Sequence, residues 1–117
     1  MTGSVIADWA AKRCQACRPG TAAMSAASIK SALKDLPGWS FKAKAISKMY
    51  SFTDYYHTMA FVNAVASVAH AEDHHPDLEV GYNKCAVTYS THSVGGVSEN
   101  DVICAAKVEQ WAAAAVK

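Results

Sequence analysis

Residues 53–71 repeat apolar side chains at helical spacing, and His75-Pro76 closes the run. Proline lacks a backbone N–H, and its ring disfavours helical geometry at the residue before it. A helix entering this stretch therefore has to end around Glu72 to His74. Thr53 or Asp54 supplies the cap at its start. Tyr55, Met59, Val62, Ala66 and Ala69 fall on one face, and Phe61, Val65 and Val68 widen it. The stripe covers roughly half the cylinder, more than the ~100° needed to face one core. That width fits a helix that touches both its own sheet and a neighbour.

Chain breakers divide the remainder. Ser25 caps a helix through Ile29, Leu33 and Leu36 that stops at Pro37-Gly38. Residues 39–41 and 46–52 read as strands, the second with Ile46, Tyr50 and Phe52 on one face. Residues 78–82 and 85–91 read as two more, joined around Asn83-Lys84, where Asn tolerates the positive φ of a tight hairpin turn. Val87, Tyr89 and Thr91 share one face of the last strand; Thr88, Ser90 and His92 share the other. Gly95-Gly96 forms a loop. Ser98 to Asp101 resembles a capping box with Asp in place of Glu or Gln, and it opens a final helix running to about Val116. The order α-β-β-α-β-β-α predicts an α+β fold: a four-stranded antiparallel sheet with three helices packed on one face.

Composition narrows the partners. Leu, Ile, Val and Phe number only 21, against 23 Ala. Such scarcity with a high net charge would mean disorder, but the net charge is +1. A small folded domain with a thin core remains, one that gains by burying surface against copies of itself. Eleven basic and ten acidic residues, with no basic block, argue against direct nucleic-acid binding. The most apolar long stretch, 59–71, contains Asn63, Ser67 and His70 and falls short of the ~20 residues of a membrane span. Asp8 and the lack of an apolar core near the N-terminus argue against a secretory signal, so the four Cys are expected reduced and the location cytoplasmic.

Residues 1–24 read as a separate, flexible extension, broken at Pro19-Gly20, and residues 25–117 as the single domain. The extension carries Cys14-Gln15-Ala16-Cys17, expected as an exposed thiol pair. Cys85 and Cys104 are expected to pack as small hydrophobes.

Four of the five histidines, His70, His74, His75 and His92, fall within 23 residues; His57 is expected to be solvated. Imidazole exchanges protons near neutral pH, which fits general acid–base catalysis on a small neutral substrate. Zinc is the competing use: His70 and His74 would share a helical face, with His92 as third ligand. Solvated polar residues around a loop are the third reading.

The spacing His70-x3-His74-His75-Pro76-x5-Tyr82-x9-His92-x8-Asp101 resembles the signature of the pterin-4a-carbinolamine dehydratases, also known as the dimerisation cofactor of a homeodomain transcription factor. Leu36-Pro37-Gly38-Trp39, Phe52, Ala60-Phe61-Val62-Asn63, Tyr82-Asn83-Lys84 and Ser90-Thr91-His92 resemble further landmarks. The resemblance spans about residues 25–111. It departs at His70, a position often acidic in the family.

The resemblance implies dehydration of 4a-hydroxytetrahydropterin to quinonoid dihydropterin without metal or organic cofactor. That reaction supports tetrahydrobiopterin recycling for aromatic amino-acid hydroxylases. It implies that His74, His75 and His92 share the acid and base roles. It further implies that Asp73, Ser90, Thr91 and Ser93 lie along the pterin, largely through backbone groups, and that Trp39 lines the pocket. Asp101 matches the signature's last Asp, to orient a catalytic His, to cap the final helix, or both. A homotetramer or homodimer follows from the same resemblance, with the 53–71 helix as the contact surface. So does an alternative role as a protein-binding scaffold or transcriptional coactivator.

Overall fold

A computed structural model describes residues 5–18 and 20–116. Pro19, half of the expected chain break, lies outside the described residues. The elements in order are α1 (Val5–Ala10), α2 (Ala26–Leu33), β1 (Ser40–Lys42), β2 (Ala45–Ser51), α3 (Tyr55–Glu72), β3 (Asp77–Val80), β4 (Lys84–Tyr89) and α4 (Glu99–Lys107). The four strands form one antiparallel sheet in the order β1-β2-β4-β3. Both hairpins lie side by side, with β2 and β4 at the centre.

The alternation of side chains along β2 and β4 builds the core. Ile46 and Tyr50 of β2 and Cys85, Val87 and Tyr89 of β4 are buried on one face. Met49, on the opposite face, is 57% exposed. The helices therefore cover a single face of the sheet, as the pattern predicts.

Helix α3 starts at Asp54, whose carboxylate accepts the His57 amide at 2.9 Å, and not at Thr53. Its buried face is Thr58, Phe61 and Val65. The expected stripe is rotated: Tyr55 and Ala66 are exposed, while Phe61 and Val65, read as the flank, lie at its centre. Phe61 packs against Tyr50 and Phe52 at ring-centroid distances of 4.6 and 5.0 Å. The Thr58 hydroxyl donates to the Tyr82 carbonyl at 2.9 Å, tying α3 to the second hairpin.

Two further expectations are corrected. The residues just before the domain do not stand apart. Ala10 of α1 is fully buried, and the Lys107 ammonium donates to its carbonyl at 2.7 Å. The Cys14 amide donates to Glu72 Oε1 at 2.7 Å, and Gln15 and Asn100 exchange two hydrogen bonds. A fourth helix, α1, thus thickens the helical layer over α4. Ala10, Ala105, Ala106 and Ala112 are all buried in that core, where small side chains let α1 and α4 approach closely. This gives a within-chain reason for part of the alanine excess.

The last helix also ends differently. After Lys107 the chain widens into a π-helical turn, Val108–Ala112, with the Ala113 amide bonded to the Val108 carbonyl at 2.9 Å. That turn brings Glu109 Oε1 within reach of Tyr50, Lys48 and Trp39, which all donate to it.

Candidate active site

The site begins at the end of α3. Asp73 adopts the left-handed conformation at φ 50°, ψ 44°, and the His74 amide reaches back to the Ala69 carbonyl at 3.1 Å. This is a Schellman-type stop, which Asp tolerates better than most residues because its short polar side chain bonds locally. Pro76 then holds the chain extended at His75. The helix stop and the proline together swing His74 off the helix and back over the sheet.

There His74 meets Tyr89, its ring stacked at a centroid distance of 5.6 Å and an interplanar angle of 17°. Its Nε2 lies 2.6 Å from Asp101 Oδ1. Asp101 is fully buried. Its second oxygen accepts the Ser98 amide at 2.9 Å and the Thr91 hydroxyl at 2.7 Å. The two readings of Asp101 thus coexist: it caps α4 and it holds His74. A carboxylate only accepts hydrogen bonds, so Nε2 carries the ring proton and Nδ1 is left as the basic nitrogen of a neutral imidazole.

A cleft of about 250 Å³ opens beside this pair. Asp73, His74, His75 and Asp77 form one wall, from the α3–β3 connection. Thr88, Ser90, Thr91, His92 and Ser93 form the other, from the end of β4 and the short 3₁₀ turn His92–Val94. Residues 18 positions apart in sequence, His74 and His92, thereby face one space. His75 and His92 are exposed, whereas only 16% of the His74 side chain is. A larger recess of about 610 Å³, between the N-terminal segment and the start of α4, holds none of the histidines. The smaller cleft is the one that gathers His74, His75 and His92.

Not every expected site residue reaches the cleft in the expected way. Thr91 borders it, but its hydroxyl is bonded to Asp101 and Ser98 and both backbone groups pair with Gly96. It braces Asp101. Trp39 is buried in the core, 6.5 Å from the Tyr89 ring, with its indole N–H directed to Glu109. It stands one ring behind the cleft. His70 is exposed on α3 and does not line the cleft. Because α3 stops at Glu72, His70 and His74 lose the helical face that the zinc reading needs. Among the described residues no group of three or more His, Cys, Asp or Glu is arranged to hold a metal ion. His57, expected in solvent, is half-exposed and bonded to Asp54 at 2.7 Å.

Two contributors were missed. The pattern places Tyr89 only on a strand face with Val87 and Thr91, yet its ring forms the floor under His74. Burial, reinforced by the neighbouring Cys104, pushes its phenol far above the usual tyrosine range, so it stays neutral. Ser98 was read as a cap, but it also braces Thr91, Oγ to Oγ at 2.7 Å. Alternation had placed Tyr89 and Thr91 on one strand face; no local signal shows what packs above them.

The fold and the cleft define an α+β domain that gathers several imidazoles around one small cleft. Comparison with known proteins gives the class. Residues 22–111 match the pterin 4 alpha carbinolamine dehydratase family. A Nitrosospira multiformis protein named for pterin-4-alpha-carbinolamine dehydratase is 52% identical over 106 residues, 91% of this chain and 94% of that one. A Bdellovibrio bacteriovorus protein named likewise is 51% identical over 98 residues, 80% of this chain and 82% of that one. The solved structure of a Brucella melitensis transcriptional coactivator/pterin dehydratase matches with a TM-score of 0.72 at 32% identity, covering 74% of this chain and 95% of that one. A pterin dehydratase-like protein identified as a RuBisCO assembly factor shares the fold, with a TM-score of 0.51 at 24% identity.

The chain belongs to the pterin-4a-carbinolamine dehydratase family. It is an enzyme of that class, a dehydratase of a pterin carbinolamine.

Proposed function

We propose that the histidine cleft carries out the dehydration by general acid–base catalysis, with His74 as the base. The observation that carries this reading is the His74–Asp101 pair: a buried carboxylate fixes Nε2 as the protonated nitrogen and leaves Nδ1 free to accept. Loss of water from 4a-hydroxytetrahydropterin needs a proton delivered to the departing hydroxyl and a proton removed from N5. His74 takes the N5 proton as the C4a–O bond breaks and the C4a–N5 double bond forms. His92 or His75, according to which ring face bears the hydroxyl, gives it a proton, and water leaves. The two transfers cancel, so no net proton is consumed.

Asp73, Ser90 and Ser93 line the same cleft and are assigned to hold the pterin. The product then supplies the recycling of tetrahydrobiopterin for aromatic amino-acid hydroxylases in the cytoplasm. Self-association belongs to the same reading. The outward side of α3 exposes Tyr56, Asn63, Ala66 and Ser67, and Tyr55 stacks on the exposed Tyr82 at 6.5 Å. A homotetramer or homodimer would cover them; a monomer at micromolar concentration by sedimentation would count against it.

The decisive experiment follows dehydration of freshly prepared 4a-hydroxytetrahydropterin by wild type and by His74→Ala, each checked for fold by circular dichroism. A drop of about 10²- to 10³-fold is expected. The double substitution with His92→Ala should fall to the uncatalysed rate. Unchanged turnover in both would sink the assignment.

A further inference from the structure

The dehydration uses no sulfur chemistry, yet the structure holds two thiols in contact. Cys14 follows α1, and Cys104 sits on α4 one turn beyond Asp101. Their sulfurs are 3.5 Å apart although the residues are 90 positions apart in the chain. Cys104 is fully buried and Cys14 is half-exposed. A disulfide bond is about 2.05 Å long, so closure needs an approach of only about 1.5 Å.

The contact is imposed by the fold. The Cys14 amide is fixed on Glu72, and Gln15 is clamped to Asn100 at the start of α4. Arg13 and Lys107 both pair with the same Glu72, at 3.1 and 3.5 Å. Each cysteine is thus anchored by neighbours that do not involve the other sulfur. The hydrogen bond with Cys14 and burial both push the Cys104 thiol up, so it rests protonated and reacts second.

We propose that Cys14 and Cys104 are a redox-modification site: they form a reversible disulfide on meeting a small-molecule disulfide such as oxidised glutathione. The Cys14 thiolate attacks one sulfur of the oxidant, having lost its proton to water. The first glutathione leaves and takes up a proton as a free thiol. The Cys104 sulfur, losing its own proton, then displaces the second glutathione from Cys14. Two protein thiols become one S–S bond, and the two electrons they give up reduce the oxidant to two thiols. The bond would lock the N-terminal segment onto α4, beside the His74 carbonyl that lies 3.9 Å from the Cys104 sulfur.

The test uses the full chain, folded and without denaturant, incubated with oxidised glutathione and quenched in acid. Free thiols are then alkylated in denaturant and the digest mapped by mass spectrometry. The expected product is a Cys14–Cys104 cross-linked peptide that dithiothreitol releases, with Cys85 alkylated. Cys17→Ser should form the same cross-link, and Cys14→Ser should not. A Cys14–Cys17 disulfide in place of that cross-link, glutathione adducts alone, or four alkylated cysteines would overturn the proposal. So would a cross-link that appears only when denaturant is present during oxidation.

Discussion

His74 Nε2 and Asp101 Oδ1 lie 2.6 Å apart, and the same carboxylate closes the N-terminus of α4 through the Ser98 amide. One buried side chain therefore links the final helix to the ring proposed as the base of the dehydration. Asp101→Asn keeps an acceptor oxygen but offers an amide N–H where the second oxygen stood. It is expected to cost about 1 kcal/mol of stability through the weakened cap. Turnover should fall about 10- to 100-fold, with KM held, because the ring loses its fixed tautomer. The ¹⁵N shifts of the His74 ring report the tautomer directly. Wild-type turnover alongside altered ring shifts would remove Asp101 from the chemistry.

Asp73 serves in two capacities that one pair of substitutions separates. Its backbone turns the chain at positive φ, and its side chain lines the cleft. Asp73→Gly keeps the turn and deletes the carboxylate; Asp73→Val deletes the carboxylate and strains the turn as well, so the difference between the two variants reports the backbone. The Gly variant should hold or gain up to about 1 kcal/mol, with KM raised and kcat near wild type. The Val variant should lose about 2 kcal/mol and most turnover, because His74 is no longer aimed. Thermal melts and initial rates read both. Equal KM in wild type and Asp73→Gly would take Asp73 out of substrate binding.

Acid stability follows from two carboxylates outside the cleft. Burial alone would raise Glu109, but the hydrogen bonds from Lys48 and Tyr50 and the Lys48 charge outweigh it and lower its pKa below the ordinary 4.5. Glu72 is lowered too: burial opposes, and the Cys14 amide, Lys107 and Arg13 prevail. A carboxylate with a folded pKa below its unfolded one adds stability above the unfolded value and loses it as pH falls through the folded value. Stability measured in urea should therefore be flat from neutral pH to about pH 5 and fall steadily towards about pH 3. Glu109→Gln should be less stable at neutral pH and show a shallower acid slope. An unchanged slope would mean that Glu109 is not stabilised as an anion by the fold.

What the sequence made legible is what local chemistry decides. Asp54 and Pro76 bracket α3, and the alternation in β4 separates core from cleft, so the sheet and the position of the histidines follow from short-range patterns. What it concealed depends on distant partners. Ile6, Trp9 and Ala10 are spaced i, i+3 and i+4, a signal for α1 that a six-residue helix carries weakly until α4 packs against it. The roll of α3 is set by Phe61 meeting Tyr50 and Phe52, which no single-helix pattern contains. The Tyr89 floor under His74 joins residues from two elements, and the π turn at Val108–Ala112 answers to Trp39, Lys48 and Tyr50.

The first hairpin shows the same limit and yields a stability test. Positive φ was expected at Asn83-Lys84, yet the residues that adopt it are Ala43 and Lys44, at φ 54° and 64°. They are the whole loop between the paired Lys42 and Ala45, and two positive φ values in a two-residue loop define a type I′ turn. The β3–β4 hairpin instead closes with the Gly81 amide on the Lys84 carbonyl at 2.8 Å, and Phe52 donates to Asn83 at 2.8 Å. Ala and Lys carry a Cβ that crowds the backbone in the left-handed region, a cost of about 1–2 kcal/mol each. Asn and Gly relieve it, and both side chains replaced are exposed. The double substitution Ala43→Asn, Lys44→Gly is therefore expected to stabilise the domain by about 1–2 kcal/mol and raise Tm by about 5 °C. Turnover should change little, since neither Ala43 nor Lys44 lines the cleft. A lowered Tm would show that the strands, and not the turn residues, set this hairpin's conformation.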